Sequence, residues 1–347
     1  MKKYLSLVLI LILFSCCFIG CAGAEDGESD CEHVFLSDLT YKVQTIDGEE
    51  KIFTKEKCSV CNKNAVVAGQ IVQNGSKLIL ALNNLESGDV LYFKSAIYYS
   101  AINLSDGLEN VTLWFEDGAE LQSTIQLNSS EKMKNIKICN ADFSNFGLGI
   151  CIYSDVEGLI IENCKFKDSA NIEYGKEEFI ANGNVLSGAT SLKDVVIKNC
   201  TFTDILNVAY DRLNTMAIKL ANTENLTVTG CTFNGVQYNA LNVGGKSFIG
   251  SLTITDNVFS DIGSRVLNLH LANLTSCDIS GNTFYSNEDY YADTGKLGNY
   301  LGTEPEAQGI VFGINTWEEI PLANDINFEN FNVAGITYNA SAQLSLG

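Results

Sequence analysis

The chain has 347 residues, of which 42 are acidic and 22 basic, for a formal net charge of −20, and 46% of its residues are hydrophobic, enough for a buried core. That charge excludes nucleic acid as a partner, because phosphate neutralisation needs Lys and Arg. It suits a solvated surface instead; acidic surfaces also admit divalent cations, although no motif for a Ca2+ site is present in the sequence.

The first predicted element is "MKKYLSLVLILILFSCCFIGC". Two lysines, a long apolar run and small residues at its end make the pattern of a secretory signal over residues 1–21. Cys21, preceded by Gly20 and Ile19, is similar to the lipobox of bacterial lipoproteins, in which that Cys is lipidated and becomes the mature N-terminus. Cys16 competes, with a better Leu13 but a bulky Phe14, and an uncleaved membrane-spanning anchor competes with both. The resemblance implies an extracytoplasmic protein, lipid-anchored to the membrane at a bacterial cell surface. The acidic, small-residue stretch 22–30 then reads as a solvated tether.

Residues 31–65 carry Cys31, His33, Cys58 and Cys61, a C-x-H pair and a C-x-x-C pair. Three thiolates and one imidazole close a tetrahedral Zn2+ shell with no open position, which is a structural staple and not a catalytic centre. Between the pairs, "YKVQTIDGEEKIFTKEK" alternates like a hairpin about Asp47 and Gly48, which brings the pairs together. A disulfide within the cysteines is the alternative, but it leaves one thiol over and gives His33 no role. The segment resembles small zinc-ribbon-like C-x-H to C-x-x-C modules on surface proteins of anaerobic bacteria.

From residue 66 to 347 one phrase returns: an apolar residue, any residue, a turn-former, Cys or Asn, any residue, Phe. It fits residues 138–143, with Ala141 at the fourth place, and 161–166, 197–202, 228–233, 254–259 and 279–284, with a weaker match at 326–331. Repeats spaced by roughly 25–35 residues predict a solenoid whose coils bury their faces against one another. Alternation in "LTVTG" and "LTITD", with Gly, Asn or Asp closing each run, predicts strands. "AIKLAN", "ALNVGG" and "VLNLHLAN" form a second strand family. The segment 76–123, with an amphipathic helix followed by Gly88, Asp89 and Gly118, resembles the entry of right-handed parallel β-helix proteins of the pectin lyase-like superfamily. Asn163 with Cys164, and Gly281 with Asn282, are similar to that superfamily's stacked corner residues. The resemblance spans about residues 66–340 and implies an all-β, right-handed parallel β-helix with a short N-terminal capping helix. Cys164, Cys200 and Cys231 share one template position, so they are expected to stack at about 4.8 Å as buried thiols, too far apart at Cβ for disulfides.

Members of that superfamily include polysaccharide lyases and hydrolases, and one fold hosts many functions. The hydrolase pattern of paired Asp, Gly-His-Gly and Arg-x-Lys is absent here, so any enzyme is expected to be a lyase. Superposing the inward residues of the second strand family puts Lys219, Asn242 and Asn268 in one outward row. His270 lies two residues farther along, Tyr238 and Arg265 just before the strands, and Asp211 and Arg212 upstream. Donors, amides and an aromatic ring along a groove suit a polysaccharide or cell-surface glycan, while an ordinary solvated face has the same composition. The tyrosine-rich interruption at 285–309 is long enough to be a binding loop. Three expectations follow: a glycan binder, a polysaccharide lyase, or a structural stalk or adhesin.

Overall fold

The computed structural model describes residues 33, 35, 38–143, 149–167, 172–174, 191–205, 216–221, 223–236, 239–244, 249–262, 265–270, 273–285, 308–313, 331–334, 337–338 and 343–346. The predicted signal and tether lie outside them, and among the described residues no helix is long and apolar enough to cross a membrane.

Three parallel sheets wind into a β-helix, with ten strands in sheet A and nine each in sheets B and C among the described residues. One coil is Leu192–Lys198 in sheet A, Thr201–Ile205 in sheet B and Ile218–Ala221 in sheet C. Within Leu192–Lys198 the inward residues Leu192, Val195 and Ile197 are buried; Val195 and Ile197 follow the alternation that a pleated strand imposes, and the left-handed Asp194, at φ 54°, shifts it by one residue so that Leu192 also points inward.

The recurring phrase is the bend from sheet A to sheet B. Its apolar residue ends the inward row of sheet A, and its turn-former holds a left-handed backbone: Asn140, Asn163, Asn199, Gly230, Asp256 and Gly281 have φ of 64°, 55°, 55°, 63°, 56° and 67°. Asn, Asp and Gly enter that region at least cost. The Phe then points inward from sheet B, where Phe143, Phe166, Phe202, Phe233 and Phe259 stack with ring centroids 4.6 to 5.0 Å apart.

The fourth place of the phrase holds Ala141 in the first match, Cys in the next three and Asn in the last two. From Cys231 on, the side chain there accepts the N–H at the same place in the coil before it. The thiols of Cys164, Cys200 and Cys231 lie 3.7 Å from the carbonyls of Ile138, Ile161 and Ile197 in the coil before, and 3.4, 3.4 and 3.5 Å from the carbonyls of Glu162, Lys198 and Thr229 in their own. Asn257 Nδ2 donates to Val228 O at 3.0 Å and Asn282 Nδ2 to Ile254 O at 2.7 Å. In return, the N–H of Cys200 reaches Cys231 Sγ at 3.4 Å, that of Cys231 reaches Asn257 Oδ1 at 2.8 Å, and that of Asn257 reaches Asn282 Oδ1 at 3.0 Å. The three stacked thiols are free and buried, as their spacing predicts.

The weak match at 326–331 is a correction. Phe331 pairs with Cys277 in sheet A, whereas Thr337 and Tyr338 pair with Thr283 and Phe284 in sheet B. By register the last coil's phrase therefore runs over 333–338, which puts Gly335 in the sequence at the turn-former's place where the earlier match put Phe328.

The helix Gly75–Asn83 caps the first coil. Asn74 accepts from Lys77 N as its N-cap, and Leu78 and Ala81 close the end of the solenoid core. Across sheet A, Glu109, Lys134, Glu157, Lys193 and Glu224 occupy a single row of register partners. Lys134 meets Glu109 at 2.6 Å and Lys193 meets Glu224 at 3.6 Å.

Ahead of the solenoid, Tyr41–Ile46 and Glu49–Thr54 form the predicted hairpin, with Asp47 and Gly48 at φ 53° and 85°, and Val66–Val67 adds a third antiparallel strand. Two residues later Gly69 starts sheet A with no room for a side chain, since a Cβ there would sit 1.9 Å from Val90 O. The hairpin is not a detached bead. Its Phe35, Tyr41 and Ile52 side share a separate apolar cluster with Tyr92, Trp114 and Cys139, which project outward from sheet A.

Candidate functional site

Sheet C carries the predicted groove residues. Lys219 and Asn242 are register partners, as are Asn242 and Asn268. Ile218, Leu220, Leu241 and Val243 on either side are buried, so strand alternation turns the partly exposed Lys219 and Asn242 outward. The register extends the row to residues that the sequence did not disclose: Asn103, Gln126, Cys151 and Glu173 precede Lys219, one per coil. Their strands are only three residues long, too short for an alternation to be read.

Arg265 opens the strand Arg265–His270 that contains Asn268, and His270 ends it; they pair with Gln308 and Gly313 of the next strand. Tyr238, Asp211 and Arg212 lie outside the described residues, as does most of the segment 285–309. Chain order nevertheless assigns these segments to one connection. Residues 206–215, 237–238 and 286–307 each stand in the chain between a sheet B strand and a sheet C strand.

The second cluster is in the module. One ligand atom each from His33, Cys58 and Cys61 lie within 4.8 Å of one another, close enough to share a metal ion. His33 Nδ1 is 3.4 Å from Cys61 Sγ. The C-x-x-C turn is built by backbone bonds from Cys58 N to Lys63 O and from Asn62 N to Cys58 O, both 2.8 Å, with Asn62 at φ 57°. The Val60 N–H points at Cys58 Sγ at 3.3 Å, a donor that stabilises a thiolate. Two soft sulfurs and an imidazole are a donor set that suits a thiophilic divalent cation. Cys31, the fourth predicted ligand, lies outside the described residues.

Beside this cluster, Asp38 accepts from Lys198 Nζ at 2.9 Å, and Lys198 and Lys137 both reach Glu162 at 3.2 Å. The Lys198 hydrogen bond holds the Asp38 carboxyl below the usual carboxylate range. Under them Cys139 is fully buried, and burial pushes its thiol up to about 12.

No family profile matches this sequence, and no curated protein resembles it at a significant level. Among solved structures, the chain is similar to an alginate lyase from Paenibacillus sp. str. FPU-7, with a TM-score of 0.41 and 13% identity over 80% of this chain and 97% of that one. It is also similar to the PL6 family alginate lyase AlyGC, with a TM-score of 0.39 and 15% identity over 87% of this chain and 47% of that one.

Proposed function

We propose that this chain is an exported, surface-tethered β-helix that engages a polysaccharide along the outward row of sheet C. The observation that supports it is the register of Lys219, Asn242 and Asn268, one polar residue per coil of sheet C. A row of amides and a cation repeating at about 4.8 Å presents hydrogen-bonding groups at a polymer's spacing rather than a compact ligand's. Residues 1–21 act as the export signal, Cys21 carries the lipid and 22–30 spans the gap to the membrane. His33, Cys58 and Cys61, with Cys31, hold Zn2+ as a structural ion; a full four-ligand shell leaves no site for substrate.

A second reading is a polysaccharide lyase, the activity for which both structural neighbours are named. In this chain the strand containing Asn268 begins at Arg265 and ends at His270, which gives sheet C a cation and a proton acceptor at the two ends of one row-bearing strand.

Both readings meet one experiment. The purified protein is run against neutral and acidic polysaccharides, scoring retention and the appearance of unsaturated ends. Lys219→Ala, Asn242→Ala and Asn268→Ala should each weaken retention about fivefold, the loss of one exposed hydrogen bond. Unchanged retention in the triple variant overturns the binding reading. Unsaturated ends that fall roughly 10²- to 10⁴-fold in His270→Ala or Arg265→Ala establish the lyase.

A further inference from the structure

The apolar cluster between module and solenoid contains one of the metal-ligating residues. Cys58 is 1% exposed and packs with Phe35 and Leu39 of the segment 33–40, and with Trp114 and Cys139 of the solenoid face. His33, Phe35 and residues 38–40 therefore form an arm laid across sheet A, and it is fastened at three points. At its start His33 meets the C-x-x-C turn, and the His33 ring stacks on Phe35 with centroids 6.1 Å apart. In its middle Asp38 reaches Lys198. At its end the Thr40 N–H and hydroxyl donate to the Glu56 carboxylate at 2.7 and 2.6 Å.

These fastenings are unequal. The Thr40 contact returns to the hairpin itself, so it does not tie the arm to the solenoid. The Asp38 side chain is 70% exposed, and such an ion pair adds little. Phe35 and Leu39 bury apolar area but fix no direction. Among the described ligands, His33 alone comes from the arm, whereas Cys58 and Cys61 come from beyond the hairpin. A cation shared by the three joins the start of the arm directly to the C-x-x-C turn.

We propose that the metal ion is a latch: its occupancy holds the arm formed by His33, Phe35 and residues 38–40 over sheet A and decides whether Cys139 is covered or open to solvent. The inference rests on the zinc reading given above, and it adds a consequence that a mere staple lacks. Loss of the metal releases the arm and leaves the solenoid wound, because the coil core is a separate cluster. What opens is the thiol of Cys139, while Trp114 keeps the Tyr41 ring of the hairpin over it, with centroids 5.3 Å apart. Cys139 lies among Lys137, Glu162, Lys198 and Asp38, of which only Asp38 belongs to the arm.

The thiols themselves report the outcome. The purified protein, with and without EDTA, is treated with a maleimide, and labelling is read residue by residue by peptide mass spectrometry alongside zinc content. At free zinc about 100 times its Kd, stripping the ion should raise the open population, and with it Cys139 labelling, about 100-fold. Cys164, Cys200 and Cys231 should stay unlabelled. Asp38→Asn keeps every ligand, so zinc should remain while Cys139 labelling rises about two- to fivefold. A protein without zinc as purified removes the zinc reading and the latch together. Zinc that leaves while Cys139 stays protected overturns the latch alone. Labelling of the stacked cysteines together with Cys139 also overturns it, since the ion would then support the whole fold.

Discussion

The corner between sheets A and B is filled in two ways along one molecule, by thiols in the earlier coils and by amides in the later ones. Cys164, Cys200 and Cys231 reach the preceding carbonyls at 3.7 Å, a weak sulfur contact, and otherwise pack as small apolar groups. Asn257 and Asn282 are equally buried but make full hydrogen bonds at 2.7 to 3.0 Å in both directions. The difference teaches that the corner asks for a small group able to give and take one hydrogen bond. The thiol half tolerates imperfect satisfaction because sulfur costs little to desolvate; the amide half is strong only while complete.

That contrast can be broken most forcefully at Asn257. Asn257→Ala removes the partners of Val228 O and of the Cys231 N–H, and each orphaned group costs about 1–3 kcal/mol. Chemical denaturation should therefore show a loss of about 2–6 kcal/mol, and a loss under about 1 kcal/mol would mean that the amide is not what holds these coils.

Alkali should distinguish the halves without mutation. Burial first, and the Cys164 hydrogen bond second, raise the Cys200 thiol pKa; for Cys231 the hydrogen bond with Cys200 leads and burial follows. Above about pH 9 the unfolded chain releases these protons while the folded chain keeps them. The folded state then binds more protons, so stability falls as pH rises, by up to about 1.4 kcal/mol per pH unit for each thiol. Cys231→Asn should flatten the slope measured by denaturation between pH 8 and 10, numbers chosen to bracket roughly the free-thiol range.

The smallest effect sharpens the comparison. Cys200→Ala should cost about 1–2 kcal/mol, the loss of one buried sulfur, whereas Cys200→Asn, which supplies the amide's bonds, should stay within about 1 kcal/mol of the parent. A large loss for Asn with none for Ala would show that the two halves differ in backbone geometry and not only in side chain.

The solenoid was legible because its special residues recur at fixed offsets. A left-handed Asn, Asp or Gly and a stacked Phe cannot be exchanged freely, so they survive as a pattern. The last coil escaped because Ile336 and Tyr338 stand where Asn and Phe do elsewhere. The Lys219, Asn242 and Asn268 row was legible from the apolar residues flanking it. Docking of the module was not recognised, although a signal existed: "VLYF" and "TLWF" are apolar without alternation, the mark of strands covered on both faces. The residues of the arm that cover them stand far off in sequence, and only the folded chain brings Asp38 to Lys198.

The charged row on sheet A has a consequence for how such a protein lengthens by duplication. Glu109, Lys134, Glu157, Lys193 and Glu224 alternate in sign from coil to coil. Copying one coil in tandem would set Glu beside Glu or Lys beside Lys, and like charges directly opposite destabilise paired strands. Copying two coils preserves the alternation. This stretch therefore has a parity: it favours growth in even steps, while the corner column, indifferent to sign, accepts either.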